Sequence, residues 1–170
     1  MDKVINLFIQ HVGELIFEHF DTPGLFQCAL VSKTWKVLAE NILLKRWKGK
    51  IFEACKIGET KVIRLLLEGC NAEESGLIMK YEGDCTAYMI ACKNGHKDVV
   101  KLLLNHSHSD NNIEMNAQTD GDGYTAFLMA CYNGHKDVVK LLLNHSERIE
   151  PNTRTIYGWT AFMWACEKGH

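Results

Sequence analysis

Cysteine and histidine recur together in this chain as Cys92-x-x-x-His96, Cys131-x-x-x-His135 and Cys166-x-x-x-His170. Thiolate and imidazole are the ligands of structural zinc, which takes four of them in a closed set. Each pair offers two. No CxxC pair occurs among Cys28, Cys55, Cys70, Cys85, Cys92, Cys131 and Cys166, so neither a zinc ribbon nor a disulfide scaffold is expected, and no metal or other cofactor is assigned. A second cluster, His106-Ser107-His108-Ser109-Asp110, gathers the residue types of nucleophilic catalysis. Those residues are adjacent in a polar stretch, whereas catalysis needs them to converge from a rigid scaffold. Asp120-Gly121-Asp122-Gly123 is acidic and reads as a turn tip, not as a phosphate-cradling loop. The chain is expected not to be an enzyme.

The elements that position these residues are repeats. Asn94 to Ser107 and Asn133 to Ser146 both read NGHKDVVKLLLNHS, and a degenerate copy runs from Gly58 to Leu67. Ala-Cys recurs in step at Ala54-Cys55, Ala91-Cys92, Ala130-Cys131 and Ala165-Cys166, as does Thr-Ala at Thr86-Ala87, Thr125-Ala126 and Thr160-Ala161. Each unit reads as a turn, a short helix, a glycine break at Gly58, Gly95, Gly134 or Gly169, and a second helix rich in Val and Leu. The threonine hydroxyl is placed to cap the first helix. The Val-Val-x-Leu-Leu-Leu run is too apolar to leave wet and must pack on its neighbours, while Lys97, Asp98, Lys101, Lys136, Asp137 and Lys140 form a solvated face. Even the loops repeat: Ile113-Glu114-x-Asn116-x-x-Thr119 matches Ile149-Glu150-x-Asn152-x-x-Thr155.

The first fifty residues follow another pattern. Val4, Leu7, Phe8, Val12, Leu15, Ile16 and Phe20 fall three or four apart and predict one apolar helical face. Asp21-Thr22-Pro23 predicts a stop and restart, with Thr22 as N-cap and Pro23 at the first helical position. A short helix would turn Leu25, Phe26, Ala29 and Leu30 inward. Ser32 would cap a third, carrying Trp35, Leu38, Ala39, Ile42, Leu43 and Trp47 on one stripe, with Lys45, Arg46, Lys48 and Lys50 at its basic end. Domain boundaries are placed at 1–48 and 49–170. The second domain holds about three units and a fourth that stops after one helix. It is expected to be a truncated array, or else one capped by Phe162 and Trp164.

Length and charge set the remaining limits. At 170 residues and 46% hydrophobic the chain can bury a core, and a formal charge of −2 gives no general pull toward nucleic acid or anionic lipid. No uncharged apolar run approaches the roughly 18 residues of a membrane span, and MDKVINLFIQH does not read as a secretory signal. A cytoplasmic or nuclear site and no nucleic-acid or membrane partner are expected.

Two resemblances follow from these residues. DGYTAFLMACYNGHKDVVKLLL and DCTAYMIACKNGHKDVVKLLL resemble the ankyrin repeat, with Ala in place of the motif's proline and Met89, Leu128 or Met163 in place of its first histidine. That family places the cysteine at a buried helical position and the histidine at the start of the second helix. Residues 5–47 resemble an F-box: Ile16-Phe17 with Phe20 fits the middle of the motif and Val31-Ser32-Lys33-Thr34-Trp35 its end, while Phe8-Ile9 stands where Leu-Pro is usual. The implied fold class is all-α, an F-box-like three-helix segment followed by an ankyrin solenoid of helix-turn-helix units with β-turn tips.

The implied function is an adaptor that recruits substrates to a cullin-type ubiquitin ligase. Its F-box would grip a Skp1-like protein through Phe8, Ile9, Ile16, Phe17, Leu25, Val31 and Trp35. Its repeats would hold an unidentified target protein along turn tips and helix ends, through Glu82, Cys85, Lys93, Asp122, Tyr124, Tyr132, Tyr157 and Trp159. The alternative is an ankyrin scaffold whose N-terminal helices only cap the solenoid, with the tip aromatics packing on their own neighbouring units.

Overall fold

The computed structural model describes residues 19–29, 33–70, 77, 79–106 and 113–170. The expected helix over Val4–Phe20 and the residues Leu30, Val31 and Ser32 lie outside them, apart from His19 and Phe20. So does the His106–Asp110 cluster beyond His106. The secondary structure among the described residues is helical, without strands. They fall into two compact units, with the chain boundary between Lys48 and Gly49.

In the first unit α1 (Thr22–Cys28) packs on α2 (Lys33–Trp47). The cap of α1 is Asp21, not Thr22: its carboxylate accepts the Gly24 N–H at 2.8 Å, and Thr22 is already helical. Thr22 is thereby free for a tertiary role, and its hydroxyl accepts the Trp47 indole N–H at 3.2 Å. The Arg46 guanidinium donates to the Phe20 carbonyl at 2.7 Å, so the far end of α2 is tied to the start of α1 at two points. Leu25, Leu38, Ala39 and Leu43 are buried. Trp35, expected on the same inward stripe, is 39% exposed, because the covered turns of α2 run from Leu38 to Leu43 and Trp35 precedes them by a turn. Replacing the cap, Asp21→Ala, should cost about 1 kcal/mol in urea unfolding read from this unit, the usual value of a lost carboxylate cap.

The second unit is a row of helical pairs: α3 (Ile51–Ile57) with α4 (Thr60–Gly69), α5 (Ala87–Lys93) with α6 (Lys97–His106), α7 (Ala126–Tyr132) with α8 (Lys136–Leu143), then α9 (Ala161–Glu167). First helices stack on first helices, α3–α5–α7–α9, and second on second, α4–α6–α8. The apolar run does the stacking: Val62, Ile63, Leu66, Leu67, Val99, Val100, Leu103, Leu104, Val138 and Leu142 are all buried. Small residues make the first row close, with Ala54, Ala91 and Ala130 fully covered and Cys55, Cys92 and Cys131 beside them. Thr86, Thr125 and Thr160 cap α5, α7 and α9 by accepting the N–H of Met89, Leu128 and Met163 at 3.3, 3.2 and 3.3 Å. The residues standing where the motif has its histidine are thus the ones whose amides the cap engages.

The join between units is a glycine–histidine contact. Gly58, Gly95 and Gly134 have φ of +82, +75 and +69°, the left-handed conformation that lets each first helix end sharply. Over each lies the imidazole of the following unit, His96, His135 or His170, so close that a Cβ would sit 2.6–2.7 Å from a ring atom. The Nε2 of each ring bonds back to a carbonyl of the preceding unit: Lys56 at 3.0 Å, Lys93 at 2.8 Å and Tyr132 at 3.1 Å. A carbonyl can only accept, so Nε2 carries the proton. The repeated histidine is therefore a rung between units.

Candidate protein-interaction site

Tip geometry is set by hydroxyls. The Thr119 N–H donates to the Tyr124 carbonyl at 3.0 Å while the Tyr124 N–H donates to the Thr119 hydroxyl at 2.9 Å. Thr155 and Trp159 close the next tip in the same way, at 2.9 and 3.2 Å. Both threonines are buried, which explains why the loop repeat preserves them. Neighbouring tips are also joined. Lys80 pairs with Asp120 at 2.9 Å, a contact that raises the Lys80 ammonium pKa above its ordinary value. The Ile156 N–H donates to the Asp122 carbonyl at 3.1 Å, and the Tyr157 hydroxyl to the Asp122 carboxylate at 3.3 Å. Asn116 clasps the loop behind, donating to the Arg148 carbonyl and accepting from the Glu150 N–H, both at 2.9 Å.

Of the target-binding candidates, Tyr124, Tyr132 and Trp159 converge on Trp164 of α9. Ring centroids lie 6.3, 5.1 and 4.6 Å from Trp164, the Tyr132 contact being edge-to-face. The Lys168 ammonium sits 4.8 Å above the Tyr132 ring and 5.9 Å from that of Trp164. The Trp164 Nε1–H is enclosed and has no acceptor among the described residues, so aromatic area rather than a hydrogen bond holds the indole there. The Tyr124 hydroxyl is held above its ordinary pKa, first by burial, then by the Asp122 carboxylate and the hydroxyls of Tyr132 and Tyr157, with Lys168 opposing. Asp122, Tyr124, Tyr132, Tyr157 and Lys168 thus share one neighbourhood. Tyr157 is 65% exposed, and Asp122 and Lys93 are exposed as well.

Other candidates fall elsewhere. Cys85 is buried, its thiol 3.6 Å from the Gly83 carbonyl, and so is a packing residue of its tip rather than a contact. The Glu82 side chain lies outside the described residues. In the first unit Leu25 is fully buried and presents nothing to a partner, while Trp35 remains on the surface; Phe8, Ile9, Ile16, Phe17 and Val31 lie outside the described residues. Trp164 is the residue that tip-and-helix-end reasoning passed over. It occupies a mid-helix position where the preceding units carry Ile90 and Met129, and only the change from an aliphatic side chain to an indole marks it. Phe162, the other cap candidate, is 76% exposed.

The cysteines are poor chemical groups. Burial pushes the Cys55 thiol up to about 12 and Cys131 to about 11, and raises Cys92 as well, so their reactive thiolates are suppressed. No three His, Cys, Asp or Glu residues gather as a metal-ligand set among the described residues. None of the described helices is long and apolar enough to cross a membrane.

Comparison with known proteins agrees with this architecture. The F-box domain model matches residues 10–47, and a model of ankyrin repeats in many copies matches residues 88–143. The chain is an ankyrin-repeat protein with an N-terminal F-box. Chains of solved structures that match number 318, so the fold of the repeats does not by itself name a ligand. One is a chain from the crystal structure of the yeast ribosomal protein Rps3 in complex with its chaperone Yar1. It is 28% identical with a TM-score of 0.62, covering 70% of this F-box ankyrin chain and 82% of that one. No curated protein matches the sequence.

Proposed function

We propose that this protein is a substrate-recruiting adaptor of a cullin-type ubiquitin ligase. The F-box docks a Skp1-like adaptor, and the ankyrin repeats hold the target. It performs no covalent chemistry; its contribution is proximity, keeping a bound target beside a ubiquitin-loaded partner. It acts in the cytoplasm or nucleus, where that machinery works.

The observation that carries this reading is the order of modules, an F-box at 10–47 ahead of ankyrin repeats at 88–143. The rigid, tip-linked repeat unit with tyrosine and tryptophan on one neighbourhood supports a protein ligand, since such side chains bury area with few torsions to freeze. The similarity to a chain from a chaperone complex with a ribosomal protein supports the same class of ligand.

The test is capture of a purified Skp1-like adaptor by the full chain. Wild type should retain it in stoichiometric amount, and Phe8→Asp with Ile9→Asp should lose it while the repeats keep their helical signal. Absence of capture by wild type, or capture unchanged in the double variant, would leave the rival reading, in which the N-terminal helices serve only as a cap.

A further inference from the structure

Lys168 is exposed and forms no ion pair among the described residues, yet its ammonium lies over two aromatic faces. The chain's own cation thus occupies a surface built from Tyr132 and Trp164. That surface is rigid, because Trp159 and Tyr124 pack on Trp164 and a T-shaped contact fixes Tyr132 against it. Asp122, whose carboxylate accepts from the Tyr157 hydroxyl, supplies negative charge in the same neighbourhood.

We propose that the Tyr132–Trp164 surface is the receptor for an arginine side chain of the target protein, with Lys168 as the internal occupant that the arginine displaces. The proposal rests on the adaptor reading for its assumption that the repeats bind a protein. Ring faces attract a cation through their quadrupoles, most strongly at tryptophan. Arginine suits this site better than lysine, because its planar guanidinium stacks on aromatic faces and is more weakly hydrated, so it loses less on leaving water. Lys168 is well placed to yield. It is the C-cap residue just past Glu167, on a flexible four-carbon stem, and among the described residues the contacts of its ammonium are those with the two rings. Once displaced it can extend into solvent, away from the incoming like charge.

The test is an NMR titration of the full chain with N-acetyl-arginine amide, following the indole N–H signals of Trp159 and Trp164. The neutral near-isostere N-acetyl-citrulline amide is the control. The arginine probe should shift the Trp164 signal saturably, and the citrulline probe should not. Lys168→Met should tighten arginine binding about two- to fivefold, since removing a competing cation returns what an exposed cation–π contact is worth. Tyr132→Leu should weaken it by a similar factor while signals from α5 and α6 stay in place.

Equal shifts from both probes, or an affinity that Lys168→Met leaves unchanged or lowers, would overturn the proposal. The titration contains no ligase component, and the Skp1-like capture contains no target, so either can fail while the other stands.

Discussion

Gly95→Ala should destabilise the repeat unit by about 2–3 kcal/mol, far more than its size suggests. Two effects add. At φ +75° an alanine pays the left-handed penalty of about 1–2 kcal/mol. Its Cβ would also lie 2.6 Å from Nδ1 of His135, so the imidazole must move and its bond to the Lys93 carbonyl is lost, at a further cost of about 1 kcal/mol. The two parts separate experimentally. Gly169 has nearly the same backbone, φ +73°, but nothing within 4 Å of its Cβ position, so Gly169→Ala should show only the dihedral part. In a His135→Ala background Gly95→Ala should likewise shrink to that part, and a double-mutant cycle in urea should return a coupling of about 1 kcal/mol. Additive single mutants would mean that the ring is not a rung between units.

Stability should also fall steeply at alkaline pH. Burial lifts the Cys55 thiol from an ordinary 9.0 to about 12, and Cys92 and Tyr88 are raised by burial too. The folded state therefore favours the protonated form of each. Their contribution is fully present below the unfolded value, near pH 9 for a thiol, and drains away as pH rises toward the folded one. For Cys55 alone a difference of three units amounts to about 4 kcal/mol between pH 9 and pH 12. Urea midpoints should be level up to about pH 8.5 and then drop. Cys55→Ala should flatten the slope by about 1.4 kcal/mol per pH unit, the value of one proton. An identical slope in Cys55→Ala would remove the thiol from the account. Thiol labelling gives a parallel reading: exposed Cys166 should react at once, while Cys55, Cys92 and Cys131 should react only as the repeats open.

Several of these features are legible in the sequence alone. The threonine caps at Thr86, Thr125 and Thr160, the left-handed glycines and the packed Val-Leu helices are local consequences of residue type and order, and the structure has them where the sequence puts them. The cap of α1 falls one residue before the one that the sequence predicts, since Asp21 and Thr22 can both cap and only the fold gives Thr22 another partner in Trp47. The position of Cys85 in its unit matches that of Tyr124 and predicts a target contact, but a small thiol can turn into its own loop where a phenol cannot.

What the sequence determined by itself is the repeat: its helices, breaks and caps depend on contacts only a few residues apart, and a duplicated stretch spells them out twice. The repeated Cys-x-x-x-His spacing and the tip aromatics, by contrast, acquired their meaning only across units. His135 meets the Lys93 carbonyl forty-two positions away, and Tyr132 and Tyr124 meet Trp164 thirty-two and forty positions away. Such contacts are set by how one unit stacks on the next, a geometry that no local pattern encodes. Tertiary structure therefore decided that the histidines are rungs rather than ligands. It also decided that the aromatics form one surface already holding a cation.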